Sequence, residues 1–381
     1  MAVWIFAASA AFIVYVLGGY PLLLAAAARR RGRAVASRFE PRTVSVLLPV
    51  RDGAPWIRAK LESILRLDYP RHLVEIFVIS DGSEDGTDAI VREFAGAGVE
   101  LVGVPRAGKA AALNAGMARA RGDILFFTDV RQRLAADTLR VLVACFADPR
   151  VGAASGELII GAGTNAEHAQ TGLYWRYEKW IRRRLSLLDS VPGATGCIYA
   201  MRRDLAVPLP PDILLDDVYL PLGAFFRGYR VVLAPAYAYD TPAALGHEFR
   251  RKVRTLAGVW QVMAHYPALL GPGNRMWIHF VSHKLGRLVL PWALAAAAVA
   301  ACGLPPGWRV AALSAQAAFY GLAALDLVVP DGAAVKRLSS PARAFVVLMA
   351  AALCAVSIAF LPARVFWAAP AAPRARAAAV R

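Results

Sequence analysis

The chain has 381 residues, 58% of them hydrophobic, and its mean hydropathy of +0.45 is higher than that of ordinary soluble enzymes. This composition argues against a wholly soluble protein and indicates that part of the chain lies in lipid. The formal net charge of +17 favours phosphate-bearing partners, and with membrane segments present we expect a lipid surface and phosphorylated substrates rather than nucleic acid.

The first predicted element is an apolar segment from Val3 to Ala28, followed directly by Arg29, Arg30, Arg31 and Arg33. At about 1.5 Å of rise per residue, a helix of this length crosses a hydrocarbon core of about 30 Å. A signal peptide is the alternative, but no basic region precedes the segment and it is longer than a typical signal core. Residues 1–37 are therefore predicted to form a transmembrane anchor with a basic flank, and the arginines place the following chain in the cytoplasm.

Residues 38–275 are predicted to form a cytoplasmic α/β domain in which strands alternate with helices. Short apolar runs indicate strands, and apolar residues three or four positions apart indicate helices. In chain order, the pattern predicts a strand at Thr43–Val50, a helix at Trp56–Leu67, a strand from Ile76 to Ile79, a helix from Ala89 to Phe94, a strand at Val99–Val104, a helix near Ala110–Ala120 and a strand that ends just before Asp129. Repeated units of this kind predict a mostly parallel sheet.

Residues 276–381 are predicted to contain an interfacial segment, three transmembrane helices and a basic tail. The apolar segments run from about Leu285 to Leu304, from Val310 to Val329 and from Ala344 to Pro362. Asp326 lies inside the second of these segments, and because an acid is costly in lipid we expect it to face a helix or the cytoplasmic rim. Together with the anchor, these helices predict a multi-pass protein of the cell (inner or plasma) membrane whose N terminus lies outside.

Two acids follow buried strands of the predicted domain. Asp81 ends the apolar run in EIFVISDGSEDGTD, and Asp129 ends the run in DILFFTDV. In an open α/β sheet, ligands bind at the carboxyl ends of the strands, so both acids are candidates for one ligand site. Aspartate is also common in turns and at helix starts, and this ordinary explanation stays open for either loop alone.

Several segments of the domain resemble a known family. SVLLPV, SDGSEDGT and GKAAALNAGMARARGDILFFTD, in that order, resemble a family 2 glycosyltransferase with the Rossmann-like GT-A fold. GATGCIYAMRR, LLDDVYLP and RRKVRTLAGVWQ resemble the acceptor-loop, acidic catalytic and arginine segments of its membrane-bound members, the cellulose, hyaluronan and poly-N-acetylglucosamine synthases. The likeness covers residues 44–261. It implies an inverting hexosyltransferase that uses a nucleotide sugar, with UDP expected, in exopolysaccharide or cell-envelope glycan synthesis.

The resemblance also implies a donor site. The residues it places at the substrates are Pro49, Asp81, Lys109, Asp129, Gly196 and Arg254. Asp81 would contact the uridine, and Asp129 would belong to the DxD element that holds Mg²⁺ or Mn²⁺ against the diphosphate, whose negative charge grows as the bond breaks. Here Arg131 replaces the second acid of DxD. The remaining single carboxylate leaves more of the coordination to phosphates and water.

The acidic pair in LLDDVYLP carries the catalytic expectation. A sugar hydroxyl must lose its proton as it attacks, and by resemblance Asp217 is the base, with Asp216 in support. The alternative is that both acids simply favour the dipole at a helix start. Arg251 and Thr255 occupy the glutamine and tryptophan places of the family's QxxRW element around Arg254. These replacements put the gripping of a growing polymer in doubt.

Three functions stay open at this point. The chain could extend a glycan, add one sugar to a lipid or polyprenyl-phosphate acceptor, or be a catalytically silent sugar-nucleotide-binding subunit. The expected partners are a UDP-sugar, a glycan or lipid-linked acceptor and the lipid bilayer, while envelope-assembly partners are undetermined. The basic and aromatic segment Leu173–Leu188 is interpreted as an acceptor-guiding or membrane-surface helix, with core packing as the alternative.

Overall fold

The computed structural model describes residues 1–161, 166–240, 245–330 and 332–367, and the side chains of residues 166–175 and 245–248 lie outside that description. The predicted basic tail beyond Trp367 and the start of the segment Leu173–Leu188 therefore fall outside the described side chains. In chain order, a helical N-terminal segment leads into an α/β domain, and a second group of helices follows it.

One mixed sheet of eight strands forms the centre of the domain. The strands are β1 (Val44–Val50), β2 (Val74–Asp81), β3 (Val99–Val104), β4 (Ile124–Phe127), β5 (Arg133–Leu134), β6 (Val151–Ile160), β7 (Tyr199–Arg202) and β8 (Arg230–Asp240). Their order across the sheet is β3-β2-β1-β4-β7-β6-β8-β5. The four strands predicted from the sequence, β1 to β4, are present and mutually parallel.

The second half of the sheet departs from the parallel pattern. Strand β7 lies antiparallel between β4 and β6, whereas β8 runs parallel to β6 and antiparallel to the short β5. The expected parallel arrangement is thus right for the first half only. The insertion of β7 has a direct consequence, because it brings the chain that precedes Tyr199 beside the carboxyl end of β4.

The helices take the following positions. They are α1 (Ala2–Val14), α2 (Tyr20–Arg31), α3 (Ala54–Leu65), α4 (Thr87–Arg92), α5 (Lys109–Arg119), α6 (Thr138–Ala144), α7 (Ala166–Leu188), α8 (Asp216–Phe226), α9 (Leu245–His265), α10 (Trp277–Phe280), α11 (Gly286–Ala301), α12 (Pro306–Leu325) and α13 (Lys336–Ala355). The three helices predicted between the first strands are present as α3, α4 and α5, with ends that differ by one or two residues from the expected positions.

Two apolar layers cover the sheet because neighbouring residues of a strand point to opposite faces. Leu47, Ile79 and Phe127 belong to one layer, whose helical members include residues of α5, α7, α8 and α9. Val46, Val78 and Phe126 belong to the other, which is filled by α3 and α6. The strands are apolar on both faces, as expected for a sheet covered on both sides.

Three helices of the described chain are long and apolar enough to cross a membrane. They span Ala2–Arg31, Trp277–Ala301 and Lys336–Ala359. The segment predicted at Val310–Val329 forms the helix α12 but is not among them. The first candidate combines α1 and α2, and α1 packs against α11 of the second.

Asp326 ends α12 with its carboxylate turned towards α13, and it is only 1% exposed. Ser339 and Ser340 each donate a hydroxyl hydrogen bond of 2.7 Å to its Oδ1. Arg343 lies 3.3 Å from its Oδ2, and the Lys336 ammonium lies 3.5 Å from Oδ1. The expectation that this acid faces a helix is confirmed.

Candidate active site

The loops that follow β1 and β2 are joined by side-chain hydrogen bonds. Asp52 Oδ1 accepts from the backbone N–H of Glu84 at 2.9 Å, and Asp85 Oδ2 accepts from the backbone N–H of Ala54 at 2.9 Å. Thr87 Oγ1 accepts from the Gly53 N–H at 2.8 Å. These bonds fix the carboxyl edge of the sheet, where ligands of open α/β sheets bind.

Asp81 lies at that edge and is 4% exposed. Its Oδ1 accepts backbone N–H bonds from Ala107 at 2.7 Å and from Gly108 at 2.9 Å. The acid predicted to contact uridine therefore holds the loop that begins α5. Pro49 stands next to Ile79 in the register of β1 and β2, one residue before the end of its strand. The structure places Pro49 near the edge but not within the cluster of charged groups described next.

Lys109, the first residue of α5, stands between carboxylates from two other elements. Its Nζ is 3.1 Å from Asp129 Oδ1 and 3.1 Å from Asp216 Oδ1. Burial alone would lower the pKa of this ammonium, but Asp129, Asp216 and Asp217 outweigh burial and raise the pKa above its ordinary value. Lys109 is therefore a permanent positive charge, and it brings Asp129 close to the acidic pair Asp216 and Asp217, which lies far from it in the sequence.

Asp216 and Asp217 form the first turn of α8, where the helix dipole favours negative charge. Asp216 is 5% exposed, and among the described residues no hydrogen-bond donor reaches its Oδ2. Burial, followed by repulsion from Asp216, raises the pKa of the Asp217 carboxyl from 3.8 to about 6. Lys109 and Arg182 act in the opposite direction. The pair thus lies at a helix start, as the dipole explanation expects, while burial raises the pKa of Asp217, which a helix start alone would lower.

The segment Gly193–Cys197, here called the acceptor loop, packs directly on Asp217. The Ala194 N–H donates to the Asp217 carbonyl oxygen at 2.7 Å. A Cβ atom added at Gly196 would lie 2.9 Å from Asp217 Oδ2, closer than real Cβ contacts allow. Glycine at 196 thus leaves the room that the carboxylate occupies, and the structure brings this predicted site residue to the catalytic candidate.

Arg254 of α9 places a further positive charge near the Asp217 and Asp129 carboxylates. Burial lowers the pKa of its guanidinium, and the nearby Asp217 and Asp129 carboxylates act against that effect. Thr255 donates its hydroxyl within the helix to the carbonyl of Arg251, at 2.9 Å. Of the predicted site residues, Lys109, Asp129, Gly196, Asp216, Asp217 and Arg254 therefore gather around one point.

Two residues that support this site escaped the sequence interpretation. Asp240, at the end of β8, lies 3.4 Å from the guanidinium of Arg131 and accepts a 2.7 Å bond from Gln132 Nε2. Lys60 of α3 is 1% exposed and donates from Nζ to Thr128 Oγ1 at 2.6 Å and to the Gln132 carbonyl at 2.7 Å. Burial lowers the pKa of Lys60 to about 7. The only sequence signal was its place in the apolar spacing of α3.

A divalent metal fits this site only as a sparsely ligated ion. The described residues contain no group of three or more His, Cys, Asp or Glu side chains that could hold a metal by themselves. The Asp129 side chain is 38% exposed, so it can offer an oxygen to an incoming ion while Lys109 holds the other side. Hydrated Mg²⁺ and similar hard ions accept such a site when substrate phosphates supply further oxygens.

The comparisons with known proteins agree with this geometry. A family model described as glycosyl transferase family 2 matches residues 45–207. The probable glycosyltransferase YdaM of Bacillus subtilis is 28% identical over 51% of this chain and 49% of its own length, and the poly-beta-1,6-N-acetyl-D-glucosamine synthase of Staphylococcus epidermidis is 24% identical over 58% and 55%. The chain thus spans about half the length of these relatives.

A solved structure resembles nearly the whole chain. It is the mannosyltransferase PcManGT from Pyrobaculum calidifontis in complex with GDP-Man and Mn²⁺, with 26% sequence identity and a TM-score of 0.72. The match covers 93% of this chain and 99% of that one. It therefore includes the helices that precede and follow the sheet as well as the sheet itself.

Proposed function

The domain at residues 45–207 belongs to glycosyltransferase family 2 and has the GT-A fold, and from this premise we propose that the chain is a membrane-bound, inverting glycosyltransferase. It moves a sugar from a nucleotide sugar to a glycan or lipid-linked acceptor. The observation that carries the proposal is the position of Asp217, a carboxylate with a raised pKa that faces the acceptor loop beside Lys109 and Asp129.

Asp217 is proposed as the general base. The acceptor hydroxyl gives its proton to the carboxylate as its oxygen bonds to the anomeric carbon, and the bond from that carbon to the diphosphate oxygen breaks. A base works best when its pKa lies close to the working pH, and a pKa of about 6 makes Asp217 a stronger base than an exposed aspartate. Asp216, held by Lys109, keeps this pKa high by its negative charge.

Positive charge at the leaving group is the second requirement. The departing nucleoside diphosphate gains negative charge, and Lys109 and Arg254 face the place where Asp129 would meet it. When bound, Mg²⁺ or Mn²⁺ would offset the same charge, with Asp129 as its protein ligand. The Mn²⁺ in the PcManGT complex supports this cofactor choice.

The donor is proposed to be a UDP-sugar, with N-acetylglucosamine as the first sugar to test. The printed name of the Staphylococcus epidermidis relative supports that sugar and also supports a place in exopolysaccharide synthesis, whereas PcManGT was crystallised with GDP-Man. The three candidate spans and the basic flank after α2 support a multi-pass membrane protein with residues 38–275 in the cytoplasm.

The test uses the purified full chain in lipid nanodiscs. Labelled UDP-N-acetylglucosamine, UDP-glucose and GDP-mannose are each incubated with a total membrane lipid extract and Mg²⁺ or Mn²⁺, and products are separated by size and by organic extraction. A polymer ladder indicates chain extension, and a single organic-soluble product indicates one addition. Asp217→Asn should abolish transfer and keep nucleotide binding. Nucleotide binding without transfer by the unaltered chain would instead support a silent binding subunit.

A further inference from the structure

Arg182 of α7 connects directly to the acceptor loop. Its Nη1 donates to Thr195 Oγ1 at 3.1 Å, and its Nη2 donates to the Gly193 carbonyl at 3.0 Å. Ser155 of β6 shares the contact, because its hydroxyl lies 3.4 Å from Nη2 and accepts the Thr195 N–H at 2.9 Å. One planar guanidinium thus spans the two residues that flank Ala194, a geometry that a lysine ammonium cannot reproduce.

The residues that Arg182 holds are the ones that hold Asp217. Between Gly193 and Thr195, the Ala194 N–H donates to the Asp217 carbonyl oxygen at 2.7 Å. Just after Thr195, the Cα of Gly196 faces Asp217 Oδ2. A movement of the acceptor loop would therefore move the backbone of Asp217 and change the room around its carboxylate.

Arg182 also contributes charge. Burial lowers the pKa of its guanidinium, while Glu178, Asp217 and Glu157 act in the opposite direction. The titratable groups that act on Asp217 come from several elements and include Asp216 of α8, Lys109 of α5, Asp129 after β4, Arg182 of α7, Tyr199 of β7 and Arg254 of α9. Arg182 also donates hydrogen bonds to the acceptor loop, at Gly193 and Thr195.

One turn earlier on α7, Glu178 fixes the helix to the second candidate span. Its Oε2 is 2.7 Å from Arg287 Nη1, and its Oε1 is 3.3 Å from His283 Nε2 and 3.6 Å from Lys284 Nζ. The Arg182 side chain therefore extends from a helix whose position is set by the C-terminal helices. A buried carboxylate with several partners is costly to displace.

We propose that Arg182 is a positioning residue that holds the acceptor loop and, through it, sets the place and the charge of the Asp217 carboxylate. This inference rests on the proposed function, in which Asp217 accepts the acceptor's proton. Arg182 touches neither the donor nor the reacting atoms. Its effect is transmitted through Gly193, Thr195 and the electrostatic attraction between its guanidinium and Asp217.

The experiment compares Arg182→Lys and Arg182→Gln with the unaltered chain in nanodiscs. Arg184→Gln serves as the matched control, since Arg184 lies two positions further on the same helix and stacks on Trp180 at 3.5 Å. For each protein, three quantities are measured: the UDP affinity by calorimetry, the rate of sugar transfer and the pH dependence of that rate. The labelled donor is UDP-N-acetylglucosamine, or the donor of the panel that the unaltered chain uses. Thermal unfolding is recorded alongside to exclude variants that do not fold.

Arg182→Gln should lower kcat about 100-fold, the size of effect expected when a reacting group moves by about 1 Å, with UDP affinity unchanged. The acidic limb of the pH profile of this variant should move up by about one pH unit, because the loss of a nearby positive charge raises the pKa of Asp217. Arg182→Lys keeps the positive charge but not the planar guanidinium. Its acidic limb should therefore stay in place while its kcat falls, which separates the effect of the charge from that of the hydrogen bonds. Arg184→Gln should resemble the unaltered chain in all three measurements.

The outcomes separate the two levels of the proposal. If the unaltered chain transfers no sugar from any donor, the proposed function itself fails. If it transfers sugar and folded Arg182→Gln shows the same rate and the same pH profile, Asp217 keeps its role and the positioning role of Arg182 is refuted. A folded Arg182→Gln variant with weakened UDP affinity would also refute the inference, because it would place Arg182 in donor binding.

Discussion

Replacement of Asp217 by asparagine should stabilise the fold while it abolishes transfer. Burial and Asp216 raise the pKa of Asp217 to about 6 from the ordinary 3.8, and at about 1.36 kcal/mol per pH unit this difference corresponds to about 3 kcal/mol. Because the pKa is higher in the folded state, this contribution of about 3 kcal/mol to the stability is fully present below pH 3.8 and is lost as the pH rises through 6. Asparagine carries no charge and escapes that loss.

The assay is thermal unfolding followed by tryptophan fluorescence, with the unaltered chain and Asp217→Asn compared at about pH 4 and about pH 8. The variant should unfold several degrees higher at the alkaline pH and at nearly the same temperature at the acidic pH. Asp212→Asn is the control, since Asp212 is an exposed acid just ahead of the same helix. An equal difference at both pH values, or a less stable variant at pH 8, would refute the argument that ionised Asp217 is held at an energetic cost.

Four further outcomes are expected. Chelation by EDTA should lower transfer, and added Mg²⁺ or Mn²⁺ should restore it. Asp129→Ala should bind UDP more weakly. Full activity in chelator would mean that protein side chains alone neutralise the charge of the diphosphate. Lys60→Met should reduce kcat about tenfold because the loop from Thr128 to Gln132 loses its buried donor; an unchanged rate in steady-state assays would contradict this. Gly196→Ala should reduce kcat about 100-fold by pressing on Asp217, and the control Gly96→Ala, which meets nothing within 4 Å, should not. A reporter fused after Arg33 should register as cytoplasmic, and an external signal would reverse the proposed orientation.

The parts of the site that were predictable share one property, which is that local sequence determines them. Asp81 and Asp129 each follow an apolar run, and the carboxyl ends of parallel strands necessarily meet at one edge. The local sequence indicated a helix start at Asp216 and Asp217, and the family resemblance implied their catalytic role. The family resemblance then linked these separate segments before any contact between them was known.

What was missed depends on contacts between distant parts of the chain. Strand β7 pairs antiparallel with both β4 and β6, and these pairings join distant parts of the chain. No local pattern in Tyr199–Arg202 indicates them. Asp240 meets Arg131 across 109 positions of sequence, and Lys60 meets Thr128 across 68. A lysine at an apolar helix position normally packs its methylene stem on the protein and keeps its ammonium in water, so the complete burial of Lys60 was visible only in three dimensions.

The enclosed carboxylate of Asp326 has a consequence for how the chain is assembled. During synthesis α12 emerges before α13, and until Ser339, Ser340 and Lys336 arrive its acid has none of the partners that surround it in the finished structure. An acid is costly in lipid and is usually paired within the protein when it lies there. The burial of Asp326 therefore depends on α13, and a chain that ends before Lys336 would leave this acid without the hydroxyls and the ammonium that neutralise it.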